Sequence, residues 1–155
     1  MSAMDAEVLL ADDNAADAEL ILLALSELDL ADRIHHVHDG EEALDFLLCQ
    51  NGYAGRSGDL PLKLIVLDIK LPKLDGLEVL REIKRHVHTQ TIPVVLLTSS
   101  KVQRDLVQGY RLGANSYVQK PLDFTSFRET VRRLWLYWLQ VNEPPPAELS
   151  GEERA

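Results

Sequence analysis

The run Leu64-Ile65-Val66-Leu67 stops abruptly on the carboxylate of Asp68, and no other stretch narrows the possible folds as much. Consecutive apolar residues make both faces of a strand apolar, which marks a central parallel strand covered on each side. In an open α/β sheet the binding crevice lies beyond the carboxyl ends of the strands, so Asp68 is placed for chemistry. The residues after it, Ile69-Lys70-Leu71-Pro72-Lys73-Leu74-Asp75-Gly76, carry the Pro and Asp-Gly punctuation of an ordered loop that opens a helix.

The rest of the chain repeats that plan. Residues 7–11 predict a first strand running into Asp12-Asp13, and Asn14 predicts a helix cap. In the helix that follows, Leu20, Ile21, Ala24, Leu25 and Leu28 form one stripe, with Leu22 and Leu23 outside it. Residues 33–38 predict a second strand, and Asp39-Gly40 opens a helix carrying Ala43, Leu44, Phe46, Leu47 and Leu48. Residues 50–61 break all periodicity in a connection that is long for an α/β protein. Leu77, Val79, Leu80 and Ile83 mark a third helix that ends among Lys84, Arg85 and His86, basic residues suited to a helix carboxyl end. A strand over 92–97 ends on Thr98, a helix over 102–112 closes at Gly113, and a short strand over 116–118 leads to Lys120-Pro121. Asp123 caps a last helix running to about 141. Five strands alternating with five helices predict a doubly wound, flavodoxin-like α/β fold with a five-stranded parallel sheet in the order 2-1-3-4-5.

A chain of 155 residues with 46% apolar content suits one domain, expected over 1–141, followed by a disordered acidic Pro-containing tail over 142–155. No apolar run approaches the ~20 residues of a membrane span, and the acidic start lacks a signal-peptide apolar region. The expectation is a cytoplasmic protein with no membrane contact. Of the net charge of −9, four acids and one Arg lie in the tail, leaving −6 on the rest, so nucleic acid is not an expected partner. The single Cys49, in a mostly apolar helix, reads as a buried structural thiol. His35, His36 and His38 alternate faces along a strand and lack a matching cluster elsewhere, which argues against zinc.

The expected sheet gathers Asp12, Asp13, Asp68, Thr98 and Lys120 at one edge. Three carboxylates about 5 Å apart at an effective dielectric of about 20 repel by roughly 3 kcal/mol per pair, so the pocket calls for a cation. Hard oxygen ligands select Mg2+, which keeps sites for water or phosphate oxygens. Asp68 can then attack phosphorus, with Thr98 and Lys120 holding phosphoryl oxygens, to give an aspartyl phosphate.

On those residues, with Leu71-Pro72, Asp75-Gly76 and Lys120-Pro121 beside them, the chain resembles a response regulator receiver domain of two-component systems over about 8–139. The resemblance implies that Asp13 and Asp68 ligate Mg2+ directly, that Asp12 acts largely through water, and that the Lys70 backbone carbonyl is a further ligand. It also implies a cis Lys120–Pro121 bond and a switching role for Thr98 and Tyr117. Such a protein is a phosphoacceptor and not a turnover enzyme, catalysing only its own phosphorylation and slow autodephosphorylation. The long loop, the extended last helix with Trp135 and Trp138, and the Leu-Pro-Lys-Leu-Asp-Gly wording resemble stand-alone receivers paired with phytochrome-type histidine kinases. The partner so implied is a histidine kinase, a bacteriophytochrome among the candidates. No output domain is expected after Val141, so the signal would pass through surface contacts.

Two rival readings are weaker. Aspartyl-nucleophile phosphatases place a second Asp two residues after the nucleophile, where Lys70 stands here, and no strand is followed by the loop that cradles flavin phosphate in a flavodoxin-like carrier. Two surfaces follow from apolar residues left over. Leu22 and Leu23 are expected to dock a kinase helix pair. In the last helix Phe124, Phe127, Val131, Leu134, Trp138 and Val141 form the stripe expected to cover the sheet, leaving Trp135, Leu136, Tyr137 and Leu139 for a homodimer contact.

Overall fold

The computed structural model describes residues 6–56 and 62–146. Strands β1 (Val8–Ala11), β2 (Ile34–Val37), β3 (Leu64–Leu67), β4 (Val94–Thr98) and β5 (Ser116–Gln119) form one parallel sheet in the order β2-β1-β3-β4-β5. Helices α1 (Ala15–Ser26), α2 (Gly40–Leu48), α3 (Gly76–Arg85), α4 (Gln103–Arg111) and α5 (Phe124–Leu136) connect and follow them, and a π-helical turn, Tyr137–Val141, extends α5.

The sheet has two apolar faces because its inner strands are apolar at every position but the last of β4, Thr98. Leu9, Ala11, Ile65, Leu67, Val94 and Leu96 face α2 and α3, packing with Phe46, Val79, Leu80 and Ile83. Val8, Leu10, Leu64, Val66, Val95 and Leu97 face α1 and α5, packing with Ile21, Leu25, Phe127, Val131 and Trp135. This alternation is the period of two of a pleated strand. Asn14, Asp39, Asp75 and Asp123 cap α1, α2, α3 and α5, each accepting from a backbone N–H three residues on. Asp75 and Glu78 complete a capping box. Helix α4 starts at Val102 without a side-chain cap.

Several expectations need correcting. Strand β4 begins at Val94 and includes Thr98, because Ile92 N–H is spent on the Thr89 carbonyl in a turn and Pro93 has no N–H to give. In α1 the fully buried residues are Ala18, Ile21, Ala24 and Leu25, whereas Leu20, Leu22 and Leu28 are half-buried and Leu23 is exposed. Cys49 is half-buried, not buried, since it occupies the left-handed exit of α2 at φ +56° and accepts from Arg56.

The largest correction concerns the last helix. Trp135 is completely buried and Leu139 nearly so, while Phe124, Tyr137 and Val141 are exposed. The buried face steps by four through Phe127, Val131, Trp135 and Leu139. A four-residue step drifts about 40° per turn around an α-helix. The wider π turn after Leu136 offsets that drift and keeps Leu139 on the core. Trp135 and Leu139 are thus covered within one chain. The tail expected from 142 continues without regular structure through 146, and 147–155, like 57–61 of the long loop, lie outside the described residues.

Among the described residues no helix is long and apolar enough to cross a membrane.

Candidate phosphoacceptor site

Strand ends build the site. Asp68 N–H donates to the Ala11 carbonyl at 2.9 Å, which sets the end of β3 beside Asp12, and Lys120 N–H donates to the Thr98 carbonyl at 2.7 Å, which sets the end of β5 beside β4. From there Lys120 Nζ reaches across to Asp12 Oδ2 at 2.8 Å and Asp68 Oδ2 at 2.8 Å. The remaining oxygens are also held: Asp12 Oδ1 accepts from Asn14 N–H at 2.9 Å and Asp68 Oδ1 from Lys70 N–H at 3.2 Å. Asp12, Asp68, Thr98 and Lys120 are all buried.

This cluster includes a residue the sequence reading missed. Asp17, in the first turn of α1, accepts from Lys120 Nζ at 2.9 Å through Oδ2. Its signal was faint, because an acid in a first helical turn ordinarily needs no explanation beyond the helix dipole. Asp13 is exposed, and the three Lys120 hydrogen bonds go to Asp12, Asp17 and Asp68 instead. Thr98 Oγ1 accepts from Ser100 N–H at 3.3 Å, and Tyr117 OH donates to the Ser100 carbonyl at 3.1 Å, so both lie against the β4–α4 loop. Gly109 leaves room there, since a Cβ on it would stand 2.6 Å from Leu96 Cδ1 and 3.5 Å from the Tyr117 ring. The Lys120–Pro121 bond is trans, contrary to expectation. Lys120 reaches all three carboxylates from the trans form, which X–Pro bonds prefer by about 0.5–1 kcal/mol.

The histidines serve the sheet edge. His36 Nε2–H donates to the Asp12 carbonyl at 2.8 Å. Tyr53 OH donates to Glu42 at 2.8 Å, so its oxygen accepts from His35 Nε2–H at 2.7 Å, and His35 stacks on Phe46.

Burial is the strongest influence on Asp12 and raises its pKa above the usual carboxylate range, outweighing the opposing pull of Lys120. Burial also weighs most on Lys120 and acts to lower its pKa, yet the combined hydrogen bonds and charges of Asp12 and Asp68 hold it above the ordinary lysine value. Both directions describe one pocket in which three carboxylates share one ammonium. Two negative charges are therefore left uncompensated, and the oxygens that carry them are hard ligands. A small divalent cation fits that donor chemistry and charge. Among the described residues, however, no three acidic or imidazole side chains converge at metal-ligand spacing, because Lys120 stands between them.

Fold and site together define a protein with a buried aspartate at a strand end, flanked by a second acid and a lysine, on a five-stranded doubly wound sheet. Residues 8–132 match the response regulator receiver domain family, and the chain belongs to it. It is 44% identical over 138 residues to the probable methanogenesis regulatory protein FilR2 of Methanothrix harundinacea, covering 89% of this chain and 86% of that protein. It is 34% identical over 140 residues to response regulator Rcp1 of Synechocystis sp., covering 90% and 93%. The Mn2+-bound structure of Rcp1 superposes with a TM-score of 0.81 at 32% identity, over 90% of this chain and 98% of that one. The phosphorylated cyanobacterial phytochrome response regulator RcpA superposes with a TM-score of 0.83 at 35% identity, over 90% and 97%.

Proposed function

We propose that this chain receives a phosphoryl group on Asp68 from a histidine kinase, with Mg2+ as cofactor. The observation that carries the reading is the Asp12–Lys120–Asp68 bridge at the carboxyl edge of the sheet. An Asp68 oxygen forms the new P–O bond as the bond from phosphorus to the donor's imidazole nitrogen breaks, and the electron pair leaves with the imidazole. Thr98 and Lys120 bind oxygens of the transferring group, where charge is spread in the transition state. Asp12, Asp13, Asp68 and the Lys70 carbonyl would hold Mg2+, which supplies charge neutralisation to the carboxylates and to the incoming phosphoryl oxygens. Thr98 and Tyr117 carry the change outward, a role supported by their shared attachment to Ser100. The likeness to Rcp1 and RcpA supports a phytochrome-type kinase as donor. Intact-mass analysis after incubation with a small phosphodonor and Mg2+ tests the reading. One phosphoryl adduct is expected on the wild type and none on Asp68→Asn, and equal labelling of both would refute the assignment.

A homodimer through the last helix belongs to the same proposal, now on other residues. With Trp135 and Leu139 in the core, the apolar surface left beside edge strand β5 is formed by Val118, Leu134, Tyr137 and Trp138, with Val141 beyond. An open parallel edge next to exposed Tyr137 and half-buried Trp138 suits self-pairing about a two-fold axis. Sedimentation at tens of micromolar should show a dimer for the wild type and a monomer for the Tyr137→Glu, Val141→Glu double variant. A wild type that stays monomeric with and without phosphodonor rules the dimer out.

A further inference from the structure

We propose that Asp17 is a positioning residue that holds Lys120 in place when Asp12 and Asp68 turn to other partners, an inference that rests on the phosphoacceptor reading. A lysine ammonium has three N–H donors and no acceptor. Here the three go to Asp12 Oδ2 at 2.8 Å, Asp17 Oδ2 at 2.9 Å and Asp68 Oδ2 at 2.8 Å, so the ammonium is fully used.

The three carboxylates are not equivalent. Asp12 and Asp68 end strands β1 and β3 and are almost wholly covered, with side chains 2% and 8% exposed. They are the pair that would meet a cation and a phosphoryl group. Asp17 lies on α1, keeps 24% of its side chain exposed, and has its backbone fixed where its N–H donates to the Asn14 cap at 3.0 Å. A first-turn acid serving only the helix dipole has no need to reach a buried lysine just past β5. Once cationic charge gathers at Asp12 and Asp68, like-charge repulsion drives the Lys120 ammonium outward, and the long, flexible lysine stem resists this poorly. Asp17 is the remaining anion on a rigid element within reach. It keeps Nζ facing the place where phosphoryl oxygens arrive, so the contact to Asp68 is exchanged for one to the phosphoryl group and the contact to Asp17 persists.

Two measurements test this together. In metal-free protein labelled with 15N-lysine, the Lys120 ammonium should give a resonance protected from solvent exchange. Asp17→Asn and Asp17→Ser should broaden or shift it, and Asp17→Glu should restore it. In the second, initial labelling rates from acetyl phosphate with Mg2+ are compared for wild type, Asp17→Asn, Lys120→Ala and the double variant. Asp17→Asn is expected to slow labelling roughly tenfold, as misplacement of a positioned group does. In the Lys120→Ala background it should change the rate by less than about twofold, because the two residues act as one unit. An Asp17→Asn rate equal to or above wild type overturns the inference, as does an equal loss in both backgrounds or an unchanged ammonium resonance. A wild type that takes no label at all defeats the phosphoacceptor reading instead, and the inference with it.

Discussion

A methyl group on Gly76 would lie 2.1 Å from the Asp68 carbonyl oxygen and 2.8 Å from Ile69 Cα, both of them backbone. The loop after the acceptor is therefore packed against the first residue of α3, and only glycine fits. Gly76→Ala should lower stability by about 1–3 kcal/mol in urea unfolding, the usual cost of forcing extra volume into a packed site. It should also slow labelling of Asp68 more than Ile83→Val does, since the strain falls on the acceptor's own peptide. At the opposite edge, burial holds the His35 imidazole below its ordinary value of 6.5, against the pull of Glu42. A lowered folded-state value means that the unfolded chain takes up the proton first. The contribution is thus complete above pH 6.5 and is lost as pH falls through the lower folded value. Urea midpoints measured downward from neutral pH should drop more steeply for the wild type than for His35→Gln, and parallel curves would contradict this. Asp12, Asp68, Thr98 and Lys120 were legible in the sequence because each ends a strand and its chemistry is local. Asp17 was not, because its role depends on a lysine that is distant in the chain and visible only once β1 and β5 share an edge.

Four helices announce their starts through Asn14, Asp39, Asp75 and Asp123, and α4 does not, which makes it the least anchored element of the five. Its only buried residue is Gly109, and its entry loop is tied down by the Ser100 hydroxyl donating to Asp105 at 2.6 Å. Amide hydrogen exchange should find the lowest helical protection in α4, and protection equal to that of α3 would contradict this. The loop that α4 follows also receives Tyr117 OH on the Ser100 carbonyl, and Thr98 Oγ1 accepts from the Ser100 N–H. The last helix was only half legible. Its capping by Asp123 is a local signal, but the continuation of its buried face from Trp135 to Leu139 runs through a π turn that a regular period cannot encode. Trp135→Ala should cost about 3–5 kcal/mol of stability, as deletion of a buried indole does. A near-neutral result in thermal unfolding would place Trp135 on the surface after all.

Across the whole molecule, the alternation of five strands and five helices was readable because apolar runs, turn residues and caps all agreed on it, whereas the lateral order β2-β1-β3-β4-β5 is set by long-range pairing that no local signal encodes. The parallel sheet collects residues scattered from Asp12 to Lys120 along one edge and leaves that edge with more negative than positive charge. The match to the response regulator receiver domain family over residues 8–132 spans every residue of that edge. The proposed chemistry is that the carboxylate of Asp68, and no other, forms an acyl phosphate. Borohydride reduces an aspartyl phosphate to homoserine while leaving free carboxylates intact, so reduction after labelling, followed by peptide mass mapping, reads the position directly. Homoserine is expected at position 68 alone, and homoserine at another aspartate, or label that survives with none formed, would refute the assignment.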